Sequence, residues 1–241
     1  MLKIDLHTHT LNSKCGNHTM WEVLNIASRN QMELVAITDH GPALGATVRG
    51  SFFFPGRVPA EYDGVKILKG MEANIVDLDG ATDIPPSLLK RLDIVLAGLH
   101  AVFPGEGVEA NTRAVLGLLE RGPAVDVIAH PDIRAYPLDL ERVVAAAAER
   151  GAALELNNAN LALDKTDLDQ ARRLIELGRK HGALFALNSD GHTWAEFGRD
   201  EEVRRLLRDL GSPALDIIND WPVERVVEHF AARKRLRAPE E

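Results

Sequence analysis

Short β-rich runs recur along this chain about every 30 residues, with helical segments between most of them, and few folds accept that rhythm. The runs fall at 2–6, 34–38, 66–71, 93–99, 125–129, 153–156 and 183–187, with a shorter one at 215–218. Helices are predicted between them. One covers 20–30, where Thr19 and Glu22 form a capping box. Another covers 138–150 and stops at Gly151; a third covers 168–181, capped by Asp167 and stopped by Gly182. Strand, helix, strand at this spacing is the unit of a parallel sheet, and seven or eight units predict a closed α/β barrel. At 241 residues and 45% apolar, the chain can build one such core, so residues 1–241 are read as a single domain. The connection 41–62 is long and rich in Gly, Pro and Phe, as loops covering a site often are.

Charge narrows the partners. The formal net charge is -8 and no basic stripe runs along the chain, which argues against nucleic acid as a partner. Arg233, Lys234 and Arg235, followed by Arg237, form the longest basic cluster and read as a solvated helix end. The single cysteine, Cys15, has no internal disulfide partner, which fits a cytoplasmic protein. The first residues lack the apolar stretch of a signal peptide, and no run is long enough to span a membrane.

The histidines carry the functional signal. His7 and His9 follow the first run, His40 the second, Glu72 the third, His100 the fourth and His130 the fifth; Asp190 and His192 follow the seventh. Six of nine histidines thus sit just past a strand's carboxyl end. In a parallel barrel those ends share one face, where active sites are built. His7 with His9, and Asp190 with His192, have the i, i+2 spacing that sends two side chains the same way in extended backbone. One such histidine alone is ordinarily a satisfied polar residue. Eight imidazole and carboxylate residues on one rim are costly to bury without a cation, and this donor set suits zinc, manganese or iron. His181 and His229 read as structural or solvent-facing, and His18 stays open.

The chain resembles the PHP (polymerase and histidinol phosphatase) family. The resemblance is carried by DLHTHT at 5–10, ITDHG at 37–41, GME at 70–72, GLH at 98–100, LELNN at 154–158, AHP at 129–131 and NSDGHT at 188–193. It spans nearly the whole chain and points to the stand-alone phosphatase branch. It implies a distorted (β/α)7 TIM-like barrel with a trinuclear site. One ion would take His7, His9, Glu72 and Asp190. A second would share Glu72 and add His100 and His130. A third would take His40 and His192 with one more ligand. Relatives tend to have His at position 15; here Cys15 or His18 completes the set, or the third site is weak.

The expected reaction is hydrolysis of a small phosphate ester by a metal-bridged hydroxide at a di- or trinuclear site, with zinc the first choice of metal. Asp190, Glu72 and His192 are expected to carry the catalysis, and Asp5 and Asp39 to orient ligands or to satisfy strand-end backbone. Three divalent ions against two carboxylates and a thiolate leave a charge of about +3, which attracts phosphate into an acidic protein. Arg49, Arg134 and Asn158 are candidates to hold the rest of the substrate. Alternative readings are a histidinol-phosphate or nucleotide phosphatase or nuclease of the same family, an amidohydrolase-type C–N hydrolase, and a non-enzymatic metal-binding module. A homo-oligomer is compatible with the sequence.

Overall fold

Each buried strand divides its residues between two layers. In the second, Leu34 and Ala36 point into the barrel while Val35 and Ile37 pack outward on the first helix. In the run at 93–99, Ile94 and Leu96 point in, and Val95 and Ala97 face the helices. This period-two alternation of apolar residues on both faces is what a sheet covered outside and filled inside requires.

The computed structural model describes residues 1–48, 52, 56–122 and 124–237. Its elements are β1 (Ile4–Asp5), α1 (Met20–Arg29), β2 (Leu34–Ile37), β3 (Glu61–Tyr62), β4 (Val65–Asn74), α2 (Pro86–Leu89), β5 (Ile94–Gly98), α3 (Gly107–Glu120) and β6 (Val127–Ile128). There follow α4 (Leu140–Arg150), β7 (Ala153–Asn157), α5 (Asn158–Ala162), α6 (Leu168–His181), β8 (Leu184–Asn188), α7 (Glu201–Asp209), β9 (Asp216–Ile217) and α8 (Val223–Arg237). The strands run parallel in the order β1-β2-β4-β5-β6-β7-β8-β9, and β3 pairs antiparallel with β4. The sheet curls until its ends approach. Thr8 bridges Gly191, and Asn219 Nδ2 donates to Ile4 O (2.9 Å) and Leu187 O (2.7 Å), tying β1 to β8. The distorted α/β barrel predicted from the sequence is present, with α3, α4 and α6 packed on its outer face.

The inner layer changes character from bottom to top. Ile4, Leu34, Leu68, Ile94 and Val127 fill the lower barrel, and α8 closes it from below with Val226 and Phe230. Higher up, the inward positions are Glu72, Glu155 and Asn188. Gly70 lies between Leu68 and Glu72; a Cβ there would meet Ile94 Cγ2 at 2.6 Å and Thr38 Cγ2 at 2.7 Å. Only glycine lets β4 pass this close beneath Glu72.

Three expectations need correction. The C-terminal basic cluster is not a solvated end. Arg237 and Arg233 are buried, and both reach the fully buried carboxylate of Asp126, at 2.6 Å in each case. Glu72 lies within β4, which runs three residues further than the apolar pattern implied. The edge strand β3 is too short to leave a pattern. Among the described residues no helix is long and apolar enough to cross a membrane.

Candidate metal centre

The capping box forms as predicted: Thr19 N donates to Glu22 Oε2 (2.7 Å), and Glu22 N to Thr19 Oγ1 (3.3 Å). It fixes the start of α1 at the rim, where the loop from β1 carries His7, His9 and Cys15.

His7, His9, His40, Glu72, His100, His130, Asp190 and His192, predicted from separate segments, converge at the carboxyl ends of the strands. His7 Nε2 and His9 Nε2 lie 3.0 Å apart. Glu72 Oε2 is 3.3 Å from the first and 3.5 Å from the second. Asp190 Oδ1 is 3.5 Å and 3.1 Å from the same two atoms. Glu72 Oε1 faces His100 Nε2 at 3.1 Å and His130 Nε2 at 3.0 Å. Glu72 therefore stands between two groups of imidazoles. One donor atom each from His9, Cys15, His40 and His192 makes a further group, all within 4.8 Å of one another. Cys15, not His18, completes it; His18 Nε2 instead accepts from Trp194 N at 3.0 Å.

Residues behind these side chains decide which nitrogen His7, His9 and His192 offer. His7 Nδ1 faces Glu155 Oε1 at 2.7 Å. His9 Nδ1 faces Ser13 Oγ at 2.8 Å, and that hydroxyl donates to Asp39 Oδ1 at 2.7 Å. With its proton given to Asp39, Ser13 must accept from His9, so His9 carries its hydrogen on Nδ1. His192 Nδ1 donates to Asp190 O at 2.8 Å. Asp39 thus orients His9 through Ser13, a residue that sequence reasoning missed, while Asp5 serves the backbone of His7, Ser189 and Gly198. Glu155 and Asn157 were also missed; the LELNN segment was their only trace. Two of the converging residues, His130 (φ 34°) and Asp190 (φ 51°), have left-handed backbone. For residues other than glycine such strain collects at functional sites.

The charges respond to one another. Burial works to raise the Glu72 carboxyl, but His7, His40 and His100 hold it well below the usual carboxylate range. Burial works to lower His7, and Glu155, Asp190 and Glu72 lift it well above its ordinary value. His40 is lifted to about 10 against burial by Glu72 and by Cys15. Burial drives His9 down to about 4. The Cys15 thiol, which burial alone would raise, is brought to about 6 by His192 and His40. Positive charge is thus demanded at the centre, among Glu72, Asp190 and Cys15.

A divalent cation fits this demand. Glu72 Oε2 and His40 Nδ1 are 2.6 Å apart, yet both are buried without a hydrogen bond, as are few side-chain atoms in the barrel. His7 Nε2, His9 Nε2 and Glu72 Oε2 lie 3.0 to 3.5 Å from one another, and Asp190 Oδ1 lies 3.5 Å and 3.1 Å from the two imidazole nitrogens. A tetrahedron with metal–ligand bonds of about 2.0–2.1 Å has edges of about 3.3–3.4 Å. With His7 and His9 neutral and their hydrogens on Nδ1, lone pairs meet at that separation, and a shared cation satisfies them.

The model of the PHP domain matches residues 5–177. The chain belongs to the PHP family. A protein of Acetivibrio thermocellus described as "Probable phosphatase" is 38% identical over 237 residues, 97% of this chain and 98% of that one. A second, from Caldanaerobacter subterraneus, also described as a probable phosphatase, is 37% identical over 97% of this chain and 93% of its own length. Among solved structures, histidinol phosphate phosphatase from Lactococcus lactis, complexed with zinc, L-histidinol and phosphate, superposes with a TM-score of 0.61 at 18% identity, covering 88% of this chain and 95% of that one. An archaeal ribonuclease P complex with mature tRNA has a chain matching at a TM-score of 0.55 and 14% identity, over 96% of this chain and 90% of that one. At such identities these two bear on the fold alone.

The other predicted rim residues sit apart from the PHP centre. Arg134 is exposed and donates to Asp164 and Thr166. Asn158 Oδ1 accepts from Glu202 N and Val203 N, capping α7. Arg49, in the long 41–62 connection, lies outside the described residues. His181 contacts Glu141 at 3.3 Å, and His229 packs on Trp221, as structural histidines do.

Proposed function

We propose that residues 1–241 act as one PHP-type domain that hydrolyses a small phosphate ester with two or three divalent cations, zinc being the first choice and manganese or iron the alternatives. His7, His9, Glu72 and Asp190 would hold one ion, Glu72 with His100 and His130 a second, and His40, His192 and Cys15 a third. The observation that carries the reading is Glu72. This fully buried carboxylate turns one oxygen to His7, His9 and His40 and the other to His100 and His130. Bound divalent ions supply Lewis acidity for the phosphoryl oxygens and make water a nucleophile near neutral pH.

The chain's own residues do the rest. Glu72 holds its negative charge through the reaction, because the surrounding imidazoles keep it deprotonated. Asp190 is likewise held below its ordinary value against the effect of burial, chiefly by His7 and His9, so it acts as a fixed acceptor and not as a proton donor. His192 is partly exposed at the mouth, and its raised pKa comes from Cys15 and Asp190 acting against burial. With Nδ1 donating to Asp190 O, its Nε2 would hand a proton to a leaving oxygen in the two-ion form, where the third set holds no cation. The acidic chain, with one thiol, is read as cytoplasmic.

Glu72→Ala tests this. Bound metal should fall by at least one ion per chain, and turnover of an aryl phosphate by at least about 100-fold. Unchanged metal content and rate would remove the proposal. Reconstitution with zinc, manganese and iron, read on a panel of phosphate esters and one cyclic amide, separates the native metal and the C–N hydrolase alternative.

A further inference from the structure

Glu155 projects into the barrel from β7, on the same face as Ala153, and is fully buried. Its carboxylate is surrounded by donors. Oε1 is met by His7 Nδ1 at 2.7 Å and by Asn188 Nδ2 at 2.7 Å. Oε2 is met by His130 N at 2.9 Å and by Asn157 Nδ2 at 3.0 Å. A deprotonated carboxylate only accepts, so His7 must present Nδ1–H and keep a lone pair on Nε2.

Asn157 repeats the logic with an amide. It is the N-cap of α5, and its Oδ1 accepts from Asn160 N at 2.9 Å. That bond settles which way the amide points, so Nδ2 faces the barrel. There it reaches Glu155 Oε2 and Asp190 Oδ2, each at 3.0 Å. One oxygen of Asp190 is thereby taken up by the amide. The other, Oδ1, is left facing His9 Nε2 and His7 Nε2.

We infer that Glu155 and Asn157 are paired positioning residues for the first cation: Glu155 makes His7 a ligand through Nε2, and Asn157 makes Asp190 a ligand through one oxygen. The inference rests on the metal reading above. It assigns work to two residues that never touch the ion, and it binds the ends of β1, β7 and β8 into one hydrogen-bonded unit behind it. Supporting residues of this kind commonly govern metal affinity by about 10- to 100-fold.

Glu155→Gln is the discriminating variant. The carboxylate serves donors on both oxygens, and an amide can serve them on only one. Either His7 moves its proton to Nε2, or Asn157 and His130 N lose their acceptor. The variant should bind one zinc ion about 10- to 100-fold more weakly, seen as one ion fewer retained after dialysis against dilute chelator. Asn157→Ala should weaken the same ion through Asp190. Nitrogen-15 NMR of the zinc-loaded wild type should find the His7 hydrogen on Nδ1 and none on Nε2. That measurement needs no variant, so a misfolded Glu155→Gln leaves the question decidable. A wild type that retains no zinc sinks the metal reading and this inference together. A wild type that loads zinc while Glu155→Gln and Asn157→Ala load it equally well overturns the inference alone, as does a His7 hydrogen found on Nε2 in the zinc-loaded protein.

Discussion

Cys15 is the exposed member of its donor set, among His9, His40 and His192. Its sulfur is drawn toward thiolate by His192 and His40, and thiolate is a strong zinc ligand. Cys15→Ser should therefore lower bound zinc by about one ion per chain while leaving the others in place. Elemental analysis of the purified variant reads this, and an unchanged stoichiometry would leave the third set without a cation. His18 is a poor substitute, because its Nε2 already receives Trp194 N. The side chains that converge were legible, since each except Cys15 is a histidine or carboxylate at a predicted strand end. Their supports were not. Ser13, Glu155 and Asn157 are ordinary polar residues in sequence, and Glu155 meets His7 across 148 positions. Nothing short of the folded barrel shows that pairing.

Elements were readable wherever one physical pattern dominated. The apolar runs located the strands, and Thr19 with Glu22 located the start of α1. Where two signals conflicted, the reading failed. On α8, Val226, Phe230, Arg233 and Arg237 share one helical face, and all four are buried. Counting arginine as solvent-seeking hid the lower half of that face. Those guanidinium groups are burdened by desolvation and depend on Asp126 and nearby carbonyls for compensation. Removing one partner exposes that cost. Arg237→Ala should destabilise the protein by about 3–5 kcal/mol, while Arg235→Ala, on the exposed face, should stay within about 0.5 kcal/mol. Urea denaturation of both variants measures the difference, and equal midpoints would mean that α8 does not anchor the barrel floor.

The barrel as a whole is closed from two ends by different physics. Below, α8 inserts Val226 and Phe230 among the strands, a hydrophobic seal that needs no ligand. Above, the strands β1, β2, β4, β5, β6 and β8 deliver imidazoles and carboxylates to a common point. There Glu72 and Asp190 are fixed as anions, and Glu155 adds a further buried carboxylate close behind them. Without cations, only imidazolium protons such as that of His7 offset these charges. With cations, the same groups become cross-links between strands distant in sequence. Metal should therefore stabilise the entire molecule, not the rim alone. Bound at a thousand times its dissociation constant, one ion contributes about 4 kcal/mol. For a chain of this size each kcal/mol moves the melting temperature by about 2–4 °C. Chelation should thus lower the melting temperature by about 10 °C, and zinc should restore it. Glu72→Ala, with the shared ligand gone, should lose most of that response. A melting temperature indifferent to chelator and zinc would mean that the upper ring of donors holds together as hydrogen-bonded imidazoles, and the cation would have no structural place in this fold.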